Sequence, residues 1–262
     1  MILFNKYKLL EILNSGSYGT IYKGKNIRTG DFVAIKVEPK TETSLLPNEA
    51  KIYIYLASLE GIPQAKWFGV EFDKNILVLD LLDVSLTKMK QVYGNLSIHV
   101  TAKIGIQMIQ RLRAIHDKEL VHRDIKPDNW LFGRGYNKDL LYLIDFGFCK
   151  RYKDGAHIPL KHTSNIIGTL NYVSLNIHNK IEPSRRDDIE SVIYILQYLL
   201  DELPWHNVVD HFLMVELKTN IVFINPFLRE LLIYTRQLQF DECPDYDWLV
   251  SILESVCLKT VL

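Results

Sequence analysis

The hydrophobic period of this chain changes once, just past Leu82, and that change constrains its architecture more than any other feature. Before it, apolar residues come in short β-branched or alternating runs: Tyr7 to Leu13, Thr20 to Lys25, Phe32 to Val37, Ala65 to Val70 and Ile76 to Leu79. Turn signals separate them, at Asn14-Ser-Gly-Ser-Tyr-Gly19, Thr29-Gly30-Asp31 and Asp73-Lys74-Asn75. One helix interrupts these strands. It runs from Pro47, with Ala50, Tyr53, Ile54 and Leu56 recurring near helical spacing, until Gly61 and Pro63 end it. After Leu82 the spacing is helical. Ser97 is placed to cap a long helix reaching about His116, with Ala102, Gly105, Ile109, Leu112 and Ile115 along one stripe. Asp187 opens another, carrying Ile189, Val192, Ile193, Leu196 and Leu200, and segments 226–238 and 245–258 are amphipathic as well. Strands first and helices afterwards imply an α+β protein of two lobes, and a crevice between lobes is a common ligand site.

The chain has 262 residues, 48% hydrophobic and 24% charged, enough for one large domain or two small ones and unlike a disordered segment. Thirty-one Lys and Arg balance thirty-one Asp and Glu, which removes the net positive charge of a typical nucleic-acid binder. Cys149, Cys243 and Cys257 have no CxxC spacing, so no disulfide framework or cysteine zinc site is expected. A buried, inert Cys149 is expected over a reactive one. Met1-Ile-Leu-Phe-Asn5 is too short for a signal-peptide core of roughly 7–15 apolar residues. The longest apolar stretch, Ile193 to Leu200, falls far short of the roughly 20 residues that span a bilayer. The expectation is a soluble intracellular protein, cytoplasmic, nuclear or both. The histidines show no metal-ligand spacing, and Trp67, Trp130, Trp205 and Trp248 are expected in the packed interior.

The densest chemistry lies in His122-Arg-Asp-Ile-Lys-Pro-Asp-Asn129, followed by Asp145-Phe-Gly147 after the apolar run Leu140 to Ile144. Upstream come Val33-Ala-Ile-Lys36, then Glu49 in the early helix, and before both the turn Asn14 to Gly19 followed by Ile21. In this order the set resembles the protein kinases. The resemblance implies a two-lobed kinase fold with a small antiparallel β lobe bearing one helix and a large, mainly helical lobe. A single kinase domain over residues 1–262 is expected, with the small lobe at about 1–79, a hinge at about 80–83 and the large lobe at about 84–262. It implies ATP and Mg²⁺ as cofactors. Transfer of a γ-phosphoryl group requires neutralised oxygens and an in-line hydroxyl. Asp124 would accept or orient that hydroxyl's proton, and Lys126 would stabilise charge on the moving phosphate. Asn129 and Asp145 offer the hard oxygen ligands that suit Mg²⁺. Lys36 would reach the α- and β-phosphates, held in place by Glu49. Leu13, Asn14, Ser15, Gly16, Ser17, Tyr18, Gly19, Thr20 and Ile21 would cover the nucleotide, with Asn14 in place of a first glycine and tolerating positive φ. Ala34 and Leu79 would line the adenine pocket, Leu79 as gatekeeper, while the Asp80 carbonyl and the Leu82 amide bond the base. Lys36, Asp124, Asn129 and Asp145 are thus expected to converge on one nucleotide.

A narrower resemblance rests on Asn48-Glu-Ala-Lys-Ile-Tyr53, Gly61-Ile-Pro63, Trp67-Phe-Gly69, Leu120 to Asn129, Tyr172-Val-Ser-Leu-Asn176, Ser184-Arg-Arg-Asp-Asp-Ile-Glu-Ser191, Leu203-Pro-Trp205 and Phe240 to Tyr246. These are similar to the casein kinase I family. The likeness covers about residues 7–205 and 227–250 and is weak across 206–226. It implies a Ser/Thr kinase acting on acidic or phosphate-primed protein substrates, commonly active without activation-loop phosphorylation, and here a monomer. Asp188 would brace the catalytic loop, and Arg123 with Lys150 would form an anion site. Two departures weaken priming: Asn171 stands where relatives carry arginine, and the basic stretch after Leu203-Pro-Trp205 is replaced by the mostly apolar Val208 to Leu217, with only Lys218 nearby. With the chain ending at Leu262, regulation by a long C-terminal tail or a tail-borne anchor is not expected. The competing expectation is a pseudokinase or scaffold, supported only by Asn14 and the altered anion site.

Overall fold

The computed structural model describes residues 1–16, 19–223 and 225–259; Ser17 and Tyr18, assigned above to the nucleotide-covering loop, lie outside the described residues. The chain forms two compact units. One comprises Met1–Val84 with Leu131–Gly147, the other Ser85–Trp130 with the chain from Phe148 onward.

The first unit is a six-stranded antiparallel sheet in the order β1-β2-β3-β4-β6-β5. Its strands are β1 (Ile2–Leu3), β2 (Tyr7–Gly16), β3 (Gly19–Asn26), β4 (Phe32–Pro39), β5 (Ala65–Glu71) and β6 (Lys74–Asp80). Strand alternation sorts their side chains onto two faces. Val33 and Ile35 of β4 join Ile76 and Val78 of β6, with Leu3 and Tyr7, in one buried cluster. Ala34 and Lys36 therefore point to the opposite face, and their cross-strand partners there are Leu79 and Leu77. Helix α1 (Leu46–Tyr55) packs on β5 and β6, burying Leu46, Glu49, Ala50 and Tyr53.

Four expectations need correction in this unit. Helix α1 stops at Tyr55 instead of continuing toward Gly61, because the backbone turns at Leu56. Ile54 is exposed, since the stripe defined by Leu46, Ala50 and Tyr53 leaves it beyond the edge of the packed face. The β5–β6 link is the two-residue turn Phe72-Asp73, both at positive φ (52° and 54°), and Asn75 lies buried inside β6. Trp67 is 44% exposed on the edge strand β5, with Phe4 and Lys6 beside its ring.

The second unit is helical: α2 (Leu86–Tyr93), α3 (Ile98–Asp117), α4 (Leu175–His178), α5 (Arg185–Leu200), α6 (His211–Thr219), α7 (Pro226–Gln237) and α8 (Tyr246–Lys259). The Ser97 side chain accepts from the Val100 N–H, capping α3 as its sequence implies. Helix α5 opens at Arg185, before the expected Asp187, because Asp187 instead reaches back to accept the Ser184 N–H at 2.8 Å. Helix α5 is buried nearly all round and packs against α3 and α7, while α3 also packs against α8. Trp130 and Trp205 are wholly buried. Helices α2, α4 and α6 were not anticipated. Three short ladders complete the strands: β7 (Leu120–Val121) with β10 (Lys150–Arg151), β8 (Trp130–Phe132) with β9 (Leu141–Leu143), and β11 (Lys153–Asp154) with β12 (Ala156–His157). Among the described residues no helix is long and apolar enough to cross a membrane.

Helices α3, α5 and α8 meet at Gly105, where an added Cβ would lie 3.0 Å from Leu196 Cδ1 and 3.1 Å from Leu253 Cδ1. Gly105→Leu is therefore expected to overpack this contact and lower stability by about 1–3 kcal/mol. A urea titration checks this, and an unchanged midpoint would show that the helices separate freely.

Candidate active site

In the first unit, period-two alternation aims Lys36 away from the core cluster and toward α1. Its Nζ lies 2.7 Å from Glu49 Oε2 and 2.9 Å from Asp145 Oδ1. Glu49 is buried on α1, one helical turn before Tyr53, whose hydroxyl accepts the Asp145 backbone N–H at 3.0 Å. The Phe146 ring packs edge-on against Tyr53 at 5.0 Å. These contacts hold Asp145 at φ +67°, in the left-handed region that non-glycine residues seldom occupy. Burial alone would lower Lys36, but Glu49 and then Asp145 outweigh it and hold the ammonium above its ordinary value. Burial pushes Glu49 up to about 7 against the pull of Lys36. The ammonium is thus the firmly charged member of the pair.

Glu38, which the sequence reading did not single out, supports this arrangement. Its buried carboxylate accepts from Ser44 Oγ at 2.8 Å and from the Leu46 N–H at 3.3 Å, tying the start of α1 to β4. In the nucleotide-covering segment, β2 continues to Gly16 and β3 begins at Gly19, so Asn14, Ser15, Gly16 and Gly19 of the proposed turn lie in strands. Leu13, Asn14, Ser15 and Gly16 are exposed, and Gly19, Thr20 and Ile21 are half-buried. Asn14 does not adopt positive φ; it pairs with Ile21 as extended backbone, and its Oδ1 accepts the Ser15 N–H at 2.8 Å. Its tolerance of left-handed backbone is therefore not what this position uses. Gly19 is the more demanding position, at φ +121° with the Val37 carbonyl oxygen only 2.3 Å from a Cβ built there. Ala34 and Leu79 are cross-strand neighbours. The Asp80 carboxylate bonds the Gln64 N–H and Lys66, each at 2.8 Å, and Leu82 is half-buried.

In the second unit, Asp124, Lys126 and Asn129 come together through local turns. Asp124 is buried, and Lys126 Nζ donates to its Oδ2 at 2.6 Å. Thr169 Oγ1 donates to Oδ1 at 2.8 Å. Asn129 Nδ2 donates to the Asp124 carbonyl at 2.9 Å, a bond that does not use the Asn129 amide oxygen. Asp188 sets the loop from below, accepting the His122 N–H at 2.7 Å, the Arg123 N–H at 3.0 Å and His116 Nε2 at 3.1 Å. Burial by itself raises the Asp188 carboxyl, but the bonds from His116 and His122 prevail and hold it below its ordinary value. Arg123 adopts φ +70°, and its carbonyl oxygen would lie 2.6 Å from a Cβ at Gly168, itself at φ +102°. Only glycine lets the chain pass this close while delivering Thr169 to Asp124. Thr169 was missed because nothing in its spacing marks it.

At the anion site read from Arg123 and Lys150 the protein places one carboxylate of its own, against two cations. Glu182 Oε1 lies 2.8 Å from Lys150 Nζ and 3.3 Å from Arg123 Nη1, and Arg123 Nε donates to the Phe148 carbonyl at 2.6 Å. Lys218 is likewise committed. It is fully buried on α6, and its Nζ lies 2.7 Å from the Leu170 and Val173 carbonyls and 3.0 Å from His178 Nε2, with the Tyr194 and Trp205 rings beside it. Because His178 Nε2 accepts from Lys218, its Nδ1 carries the proton and donates to His211 Nε2 at 3.1 Å. Burial, then Lys218 and His211, push His178 down to about 3. Trp205 Nε1 donates to the Asn171 carbonyl at 2.8 Å, fastening the same segment. Cys149 is buried, and burial raises its thiol well above the ordinary value.

Burial pushes Lys218 down to about 7, from about 10.5 in the unfolded chain. Between those values the unfolded state binds more protons, so this lysine's contribution to stability grows as pH rises. Wild-type stability measured against Lys218→Met is therefore expected to increase from pH 7 toward pH 10. A flat or falling difference in urea titrations would contradict it.

The first unit thus holds a fixed ammonium beside a carboxylate and the second an amide oxygen, groups of the kinds that nucleotide phosphates and Mg²⁺ take. The protein kinase domain family model matches residues 7–248.

Proposed function

This chain belongs to the protein kinase family, and from that premise we propose that it is an active Ser/Thr kinase of casein kinase I type, moving the γ-phosphoryl group of ATP to hydroxyls of protein substrates. The observation that carries this reading is the state of Asp124: buried, held on one oxygen by Lys126 and on the other by Thr169, with Asn129 bonded to its backbone. That arrangement supports the active reading over the scaffold one.

When bound, ATP supplies the phosphoryl group and Mg²⁺ neutralises its oxygens. Asp145 and Asn129 would hold the metal. Lys36 brings positive charge to the α- and β-phosphates, and Glu49 fixes its direction. Asp124 orients the acceptor hydroxyl and takes its proton, for which Thr169 must yield its bond. Lys126, 2.6 Å from Asp124, offsets charge on the group in transfer. The nucleotide-covering role falls to the Leu13–Ile21 segment, and the adenine role to Ala34, Leu79 and the backbone of Asp80 and Leu82. The motifs shared with the casein kinase I family support the Ser/Thr assignment.

The family's preference for phosphate-primed or acidic substrates is weakened in this proposal. Arg123 and Lys150 share one carboxylate, Glu182, Lys218 is buried under two carbonyls, and Asn171 adds no charge.

Two measurements test the proposal. Asp124→Asn is expected to lower turnover on a casein-like acidic protein by roughly 10²–10⁴. Wild-type rates in that variant would remove Asp124 from its role, and nucleotide binding with no transfer by the wild type would favour the scaffold alternative. On primed and unprimed versions of one peptide, kcat/KM is expected to differ by well under a hundredfold; a hundredfold primed advantage would refute the weakened preference.

A further inference from the structure

Helix α1 has no cap of its own. Its N-cap residue is Leu45, whose side chain accepts no hydrogen bond. In the first turn the Asn48 and Glu49 N–H groups both reach the Leu45 carbonyl, at 3.1 and 3.0 Å, and Pro47 has no N–H to satisfy. That leaves the Leu46 N–H, which donates across to Glu38 Oε2 on β4 at 3.3 Å. The same oxygen accepts from Ser44 Oγ at 2.8 Å. Asn75, the cross-strand partner of Glu38 on β6, donates from Nδ2 to Ser44 Oγ at 2.9 Å. Glu38 and Asn75 are buried, so a closed polar cluster fastens the start of α1 to two strands.

One turn further along α1 lies Glu49. Its Oε2 is 2.7 Å from Lys36 Nζ, while its buried Oε1 has no hydrogen-bond partner among the described residues. No second bond turns Glu49 toward Lys36, so its aim depends on where α1 sits. Two ties therefore join β4 to α1, Glu38 to Leu46 and Lys36 to Glu49. On β4 they stand two residues apart, roughly 6.6 Å of strand, and on α1 three apart, roughly 4.5 Å of helix. Alternation puts Lys36 and Glu38 on one face of the sheet, with Glu38 Oε1 4.0 Å from Lys36 Nζ. Glu38 also backs the nucleotide-covering segment, for a Cβ built at Gly19 would lie 2.9 Å from its Cγ.

We propose that Glu38 is a positioning residue for phosphoryl transfer: as the cap of α1, supplied from β4 and steadied by Ser44 and Asn75, it sets the place at which Glu49 meets Lys36. The inference rests on the kinase reading, because the ammonium being aimed is the one assigned to the α- and β-phosphates. Glu38 acts through Glu49 and takes no direct part in the transfer. Without it the Leu46 N–H and the Ser44 hydroxyl lose their shared acceptor, α1 shifts at its first turn, and Lys36 keeps Asp145 as its close partner. A misplacement of about 1 Å in a reacting site costs up to roughly a hundredfold in rate. A cap with a purely structural role would lower stability whether or not Glu49 is present. A positioning residue adds nothing to the loss of transfer once Glu49 is gone.

The test is a double-mutant cycle of Glu38→Ala with Glu49→Gln. It is read in kcat/KM for ATP on a casein-like acidic protein, and by calorimetry in the affinity for Mg²⁺-ADP, which carries both phosphates assigned to Lys36. With Glu49 present, Glu38→Ala is expected to lower kcat/KM by roughly tenfold to a hundredfold and to weaken Mg²⁺-ADP by roughly threefold or more. In the Glu49→Gln background the same change is expected to alter either quantity by less than about twofold. Urea titrations of each chain are expected to show lowered stability from Glu38→Ala in both backgrounds. Ser44→Ala removes the link while leaving Glu38 on Leu46, and a smaller loss of roughly threefold in kcat/KM is expected, again absent in Glu49→Gln. That second variant carries the cycle where a Glu38→Ala chain does not fold. Losses of equal size in both backgrounds, or wild-type values in both Glu38→Ala and Ser44→Ala, would overturn the positioning role and leave the kinase reading intact. Absence of transfer by the wild type would overturn the kinase reading. The positioning role is then judged on Mg²⁺-ADP alone, where equal losses in both backgrounds, or no loss with Glu49 present, would overturn it.

Discussion

A single buried carboxylate orders the loop that carries Asp124. Asp188 accepts two successive backbone N–H groups, from His122 and Arg123, and a third bond from His116 on α3. Two adjacent amides can point at one acceptor only if the chain bends sharply, and Arg123 adopts φ +70° to do so. That bend presents the Arg123 carbonyl to Gly168, and the close passage of Gly168 brings Thr169 against Asp124. Without the acceptor at 188, the left-handed residue would relax and the 168–173 segment would lose its seat. The carboxylate is itself held by its position in the first turn of α5, beside Asp187, which faces the other way to bind Ser174, Ser184 and Asn176.

The same economy governs the cations. Lys36 is shared between two carboxylates, Arg123 and Lys150 share Glu182, and Lys218 spends its donors on carbonyls and a histidine. Burying charge is costly unless it is paired or solvated by dipoles, and each of these groups is. For Lys36 the pairing leaves a fixed positive charge suited to phosphate. For Lys218 it turns the charge inward, while Arg123 and Lys150 keep one positive charge between them after pairing with Glu182.

How much was legible in the sequence depended on the range of the interaction. Strand alternation and helical spacing placed β2 to β6, α3, α5, α7 and α8 to within a few residues, because local periodicity reflects which side faces a core. The residues of the catalytic motif were also plain, since Asp124, Lys126 and Asn129 bond one another within a few positions of chain. Helix α6 escaped notice because its inward residues include a histidine and a lysine, which break an apolar stripe on paper yet form a satisfied polar seam in the fold. Glu182 and Thr169 escaped for a different reason: each meets its partners from tens of residues away, with no spacing to reveal it. Asn14 was explained by the wrong property, because its backbone is fixed by pairing with Ile21 and not by its own preference.

By itself, then, the amino-acid order determined the α+β succession of elements, the order of the kinase motifs and the charge balance, and it named the candidate reactive groups. These are properties of neighbouring residues and of periodicity, which survive without coordinates. Only the tertiary structure decided which charges remain available. A lysine on paper is a cation ready for any anion; Lys218 becomes a buried tie and Lys150 one of two cations sharing a carboxylate because distant segments fold onto them.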